Sequence, residues 1–124
     1  MRRSALALLL LVGAAVLASS ASLPTEPAGK IDLQILYVGH PDSAREKDFV
    51  EFLDQHFSHI KTGDLAQFTP SSAEGSDVVL LDYDGDGFKS PHPELPSSYT
   101  KPTLTIGVTG GMISMQRGLK TGYM

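Results

Sequence analysis

The apolar positions of this chain fall into blocks with different periods. Residues 31–38 read Ile-Asp-Leu-Gln-Ile-Leu-Tyr-Val, and the second half is continuously apolar. That is the pattern of a strand buried on both faces of a parallel sheet. Gly39-His40-Pro41-Asp42 breaks it. Ser43 then stands three residues before Glu46, a capping-box spacing in which each side chain satisfies the other's backbone N–H. Phe49, Val50, Leu53 and Phe57 recur at helical spacing, so residues 44–57 are predicted as an amphipathic helix.

Further along, residues 59–62 suggest a short strand and residues 64–68 a helical turn, followed by a Ser-, Pro- and Gly-rich loop over 69–76. Asp77-Val78-Val79-Leu80-Leu81-Asp82 is a second buried-strand pattern. A long polar loop over 83–101 leads to a third strong strand at 102–108, whose Thr residues suit a β surface. Thr109-Gly110-Gly111 turns the chain into a short helix over 112–119, with Gly118 near its end. The order is strand, helix, strand, loop, strand, loop, strand, helix. Strands separated by a helix and long connections predict parallel pairing. The expected class is α/β: a flavodoxin-like doubly wound parallel sheet, incomplete, with about four strands. Open sheets of this kind gather functional groups at the carboxyl ends of their strands.

The amino terminus changes the picture of where the domain works. Arg2 and Arg3 precede an apolar run of 13 residues, 5–17, and Ser19 and Ala21 occupy the −3 and −1 places of a small-residue cleavage site. This is the order of a secretory signal peptide, and the run is too short to cross ~30 Å of hydrocarbon as a helix. The organisation read from it is a signal peptide at 1–22, a linker at 23–30 and one α/β domain over 31–124. The expected location is outside the cytoplasm, periplasmic or extracellular.

Charge and cysteine content then exclude several classes. Cleavage would remove Arg2 and Arg3, leaving 8 basic residues of 10 against 14 acidic ones, a net charge of −6 with His neutral. That sign disfavours nucleic acid and anionic membrane surfaces, which select for Lys/Arg patches. With no Cys there is no disulfide framework, no thiolate metal site and no Cys nucleophile.

Asp82, Asp84 and Asp86, followed by Gly87, form an acidic loop that begins like an EF-hand. Pro93 takes the twelfth place, where a Glu is required, and a strand pattern precedes the loop instead of a helix. A looser Mg²⁺ or Ca²⁺ site on the three carboxylates is one reading, and a solvated Asp/Gly turn is the other. Asp82 and Asp84 after an apolar strand also resemble the first motif of haloacid-dehalogenase-type phosphatases. Asp86 departs from that motif, and 38 residues after it are too few for the remaining ones.

Gly107 and Gly111 flank Thr109 at two residues on either side. A nucleophile elbow needs small residues there, and the helix behind it aims N–H groups at the same spot. This turn, the Ile-Leu-Tyr-Val-Gly-His segment ending at His40 and the Ser-Asp-Val-Val-Leu-Leu-Asp-Tyr segment ending at Tyr83 resemble the class I glutamine-amidotransferase-like superfamily, and within it the ThuA-like group. The likeness spans most of residues 31–118. It implies a flavodoxin-like sheet and a nucleophile at residue 109. Here Thr109 stands where that superfamily has Cys, and no His follows His92. A Thr hydroxyl without a positioned base is a poor nucleophile. The resemblance therefore implies a domain that binds a small polar ligand, a carbohydrate by analogy with the group, without catalysis.

The ligand-binding candidates are His40, Asp82, Tyr83, Thr109, Gly110 and Gly111, with Thr109 the one catalytic candidate at the elbow. The metal candidates are Asp82, Asp84 and Asp86. No other cofactor is expected. His56, His59, Phe49, Leu53 and Phe57 read as structural, and His92 as a loop residue. Two further readings remain: a metal-assisted hydrolase or phosphatase on the acidic loop, and an interaction module, or a fragment of a truncated domain, completed by another chain, with self-association left open.

Overall fold

The computed structural model describes residues 29–120. The signal-peptide segment, its cleavage site and most of the linker lie outside the described residues. The elements are β1 (Ile31–Gly39), α1 (Ala44–His56), β2 (Phe57–Asp64), β3 (Val78–Leu81), β4 (Thr103–Thr105) and α2 (Gly107–Gln116). Short 3-10 turns occupy Leu65–Gln67 and Pro70–Ala73. The four strands form one all-parallel sheet in the order β2-β1-β3-β4. This is the first four strands of the flavodoxin-like order, so the fold is an α/β doubly wound sheet with four strands.

The period of two in each strand divides the core. Leu36 and Val38 of β1 and Val79 and Leu81 of β3 face one side, where they meet Ile113 of α2, Leu65 and Phe68. Ile35, Tyr37 and Leu80 face the other, against Leu53 of α1 with Phe49 and Phe57 beside it. β1 and β3 are central and covered on both faces, which is why their sequences run apolar without a break. Asp77 starts β3 by clamping it to β1. Its N–H donates to the Gln34 carbonyl at 2.8 Å, and its carboxylate accepts from the Gln34 N–H at 2.7 Å.

Helix α1 begins as its sequence predicts, with one displacement. Ser43 is the N-cap and its Oγ accepts from the Glu46 N–H at 3.1 Å. The return bond from Glu46 goes to the N–H of Asp42, at 2.7 Å, and the Ser43 N–H donates instead to the His40 carbonyl. Asp42 reaches Glu46 by taking φ 61°, a left-handed conformation that Asp tolerates. The helix stops at His56, one residue short of the prediction. Phe57 opens β2 directly, and β2 is longer at both ends than residues 59–62.

The end of the chain differs more from the expectation. The strand predicted over 102–108 is only Thr103–Thr105, and the helix predicted over 112–119 starts at Gly107. Ile106 is its N-cap. The helix ends in a Schellman motif: Gly118 at φ 72° donates to Met115, and Leu119 donates to Ser114.

Candidate functional site

Parallel pairing puts the carboxyl ends of β1, β3 and β4 on one rim, and the segments at residues 40, 82 and 106–109 leave from it. The Ile106 N–H donates to the Leu81 carbonyl at 2.9 Å, and the Asp82 N–H to the Val38 carbonyl at 3.0 Å. The acidic loop then passes over the start of α2. A Cβ on Gly87 would lie 2.6 Å from Val108 Cβ and 2.9 Å from the Thr109 nitrogen, so only glycine permits this approach.

Asp82 faces inward. Its exposure is 0%, and both oxygens are occupied. Arg45 Nε donates to Oδ2 at 2.6 Å and Arg45 Nη2 to Oδ1 at 2.9 Å, while the Tyr37 hydroxyl donates to Oδ2 at 2.9 Å. Burial first, and the neighbouring Asp82 carboxylate second, push the Tyr37 hydroxyl well above its ordinary pKa. Its hydrogen bonds to Asp82 raise the Arg45 pKa as well. Asp82, expected from the sequence as a ligand or metal group, ties the end of β3 to β1 and α1 through these bonds. Arg45 escaped notice in the sequence because it sits in the first turn of a helix with no motif around it. Its one signal is the spacing to Phe49 one turn on, over whose ring the guanidinium lies at 5.5 Å.

Asp84 and His40 face outward. His40 Nδ1 lies 2.7 Å from Asp84 Oδ1, and both side chains are partly exposed. The His40 ring stacks on Tyr83 with centroids 5.1 Å apart and planes 12° apart. Tyr83 packs in turn against the core. In the tautomer with its proton on Nδ1, the His40 ring donates to the Asp84 carboxylate and turns Nε2 outward as an acceptor. Asp86 turns to its own loop, where Oδ1 accepts from the Phe88 N–H at 3.0 Å and Oδ2 lies 3.6 Å from Lys89 Nζ. The three carboxylates thus take three different sets of partners. Among the described residues no group of three or more His, Asp or Glu is placed to hold a metal ion.

The elbow is also relocated. The chain turns at Gly107, with φ 67°, and Thr109 is two residues inside the helix. Thr109 is buried and its hydroxyl lies 2.6 Å from Ser90 Oγ. Ser90 donates to the Gly87 carbonyl at 2.7 Å, and His92 Nε2 lies 3.0 Å from the same oxygen. Ser90 and His92, read from the sequence only as loop residues, brace the acidic loop, and Ser90 fastens it to α2 through Thr109. Gly110 is buried against β4, where a Cβ would lie 2.5 Å from the Thr105 carbonyl carbon. Gly111 is half-exposed beside it. Of the predicted residues, His40, Tyr83 and Asp84 form one cluster, and Thr109, Gly110 and Asp82 lie beneath the rim. A cavity of about 520 Å³ lies along the outer edge of β4 between α2 and the loop at Tyr99, and none of the predicted site residues lines it.

Comparisons with protein-family models, with curated proteins and with solved structures find no match to the chain. Among the described residues no helix is long and apolar enough to cross a membrane.

Proposed function

We propose that the chain is an exported, non-catalytic domain of the amidotransferase-like, ThuA-like type that binds a small polar ligand, a carbohydrate by that resemblance, at the carboxyl rim of its sheet. The observation that carries this reading is the His40–Asp84 pair. It sits at the strand ends with its ring held by Tyr83 and its Nε2 and second carboxylate oxygen without a partner among the described residues. Two adjacent acceptors suit a ligand rich in hydroxyl donors. The non-catalytic part rests on Thr109, whose hydroxyl is buried and bonded to Ser90, out of a substrate's reach.

Calorimetric titration with a panel of mono- and disaccharides and acyclic polyols tests the reading. The expected result is saturable binding by at least one of them. His40→Ala and Asp84→Asn should each weaken it by roughly tenfold, the loss of one or two hydrogen bonds to a charged or polarised group. Absence of binding at millimolar concentration, or binding indifferent to both substitutions, would overturn it.

A further inference from the structure

The cavity of about 520 Å³ at the outer edge of β4 has the size of a small-molecule site, and its lining is unusual in charge. The chain carries 14 acidic residues against 10 basic ones, yet none of the twelve residues lining this cavity is acidic. Two of them, Lys101 and Arg117, are cations. Clefts elsewhere have carboxylates in their walls: Asp42, Glu46, Glu51 and Asp54 beside α1, and Glu94 near Pro70.

Helix α2 follows β4 and packs back on it. Its carboxyl end, with Arg117, therefore returns beside the amino end of β4, where Lys101 stands. Neither cation pairs with a carboxylate among the described residues. Lys101 Nζ donates to the Ser76 carbonyl at 2.7 Å, and Arg117 donates to the carbonyls of Leu95, Pro96 and Tyr99. Neutral carbonyls hold the two side chains in place and leave both charges uncompensated. Donors remain on each, because an ammonium has three and a guanidinium five. The carbonyls of Ser114 and Met115 at the end of α2, which would repel an anion, accept from Arg117, Gly118 and Leu119.

The strand edge adds donors. The Val79 N–H donates to the Pro102 carbonyl and the Ile106 N–H to the Leu81 carbonyl, so residues 102, 104 and 106 turn their peptide groups to β3. Alternation points the N–H groups of Thr103 and Thr105 the other way, out of the sheet. β4 is the outer strand, so no strand among the described residues meets them, and both residues line the cavity. The remaining walls are apolar. Ile113 belongs to the core, while Leu104 and Leu119 also line the cavity and are 56% and 60% exposed.

We propose that this cavity binds a carboxylate carried on a short apolar body. Lys101 and Arg117 supply the charge, the edge of β4 supplies N–H donors, and Leu104 and Leu119 cover the apolar part. The site is separate from the rim: His40, Tyr83 and Asp84 do not line it.

Amide ¹H–¹⁵N spectra of the full chain, titrated at constant ionic strength with hexanoate to about 20 mM, read the outcome. The expected result is a saturable shift of the Thr103 and Thr105 amides with a Kd on the order of 1 mM, the scale for so small a ligand. Hexan-1-ol, which lacks the charge, and inorganic phosphate, which lacks the apolar body, should each bind at least about fivefold more weakly. Thr100→Glu sets a carboxylate at an exposed lining position next to Lys101 and removes no cation; it should weaken hexanoate by roughly tenfold. Lys101→Gln should weaken it by about fivefold. Lys47→Gln, an exposed lysine on α1, should leave it unchanged. Circular dichroism verifies that each variant is folded. Absence of saturation, or shifts that saturate away from β4, would overturn the proposal. So would hexan-1-ol or phosphate binding as tightly as hexanoate, or an affinity unmoved by Thr100→Glu.

Discussion

Asp82 ends an apolar strand, carries a charge and touches no solvent. A carboxylate in that position is tolerated only with its oxygens satisfied, and Arg45 with Tyr37 does this through three hydrogen bonds. The pair holds the end of β3, the end of β1 and the first turn of α1 together. Arg45→Met would keep most of the packing over Phe49 and leave the buried carboxylate with Tyr37 alone. The expected loss is about 3 kcal/mol, which for a domain of this size lowers Tm by on the order of 15 °C. A thermal melt measures it, and a drop under about 4 °C would remove the Arg45–Asp82 tie from the account of stability. Asp84 two residues on differs only in direction: it lies past the strand end, on the solvent side, where His40 meets it.

At the scale of the element, α2 shows where a local pattern misleads. Leu104, Ile106 and Val108 alternate with Thr and Gly, and β-branched residues favour strands. The chain nevertheless leaves β4 at Ile106, because Gly107 supplies a positive φ and Gly110 lets the helix lie against the backbone of Thr105. Neither Gly110 nor Gly111 has a positive φ, so they separate two effects of adding a methyl group. At Gly110 a Cβ would meet Thr105 backbone at 2.5 Å, and at Gly111 it would meet nothing within 4 Å. Gly110→Ala should destabilise by about 2 kcal/mol through overpacking. Gly111→Ala should be neutral or stabilising by about 0.5–1 kcal/mol through helix propensity. Urea unfolding of the two variants checks the opposite signs. The elements whose boundaries were legible, β1, α1 and β3, have long runs or a cap in their own residues. The limits of β4 and α2 depended on a close approach between segments, and nothing local encodes that distance.

Over the described residues the domain is a sheet with α2 on one face and α1 on the other, and the tie between the two central strands and α1 makes its stability depend on pH. Tyr37 holds its proton more tightly when folded than when unfolded, owing to burial and to Asp82. Its contribution to stability is therefore complete below about pH 10, the ordinary value for a phenol, and is lost as the pH rises from there towards the folded value. Tyr37→Phe should cost about 1 kcal/mol at neutral pH, the net value of one hydrogen bond. It should also flatten the fall in stability above about pH 10 relative to the unaltered chain. Urea unfolding from about pH 8 to about pH 11 makes the comparison, and parallel curves for the two proteins would remove Tyr37 from the account.

From the order of residues alone came the class of fold: apolar runs too continuous for a sheet exposed on one face, a capped helix between the first two strands, and connections long enough for crossovers. Those properties are local, because the period of side chains along an element dictates which faces it must bury. The same reading brought His40, Asp82, Tyr83 and Thr109 to one rim, as parallel strands require. Only the tertiary structure decided which of them meet solvent. Asp82 and Thr109 turn under the rim because Arg45 and Ser90 arrive from segments 37 and 19 residues away. Whether a polar side chain is a tie or a contact for a ligand is set by what packs over it, and that neighbour is distant in the chain.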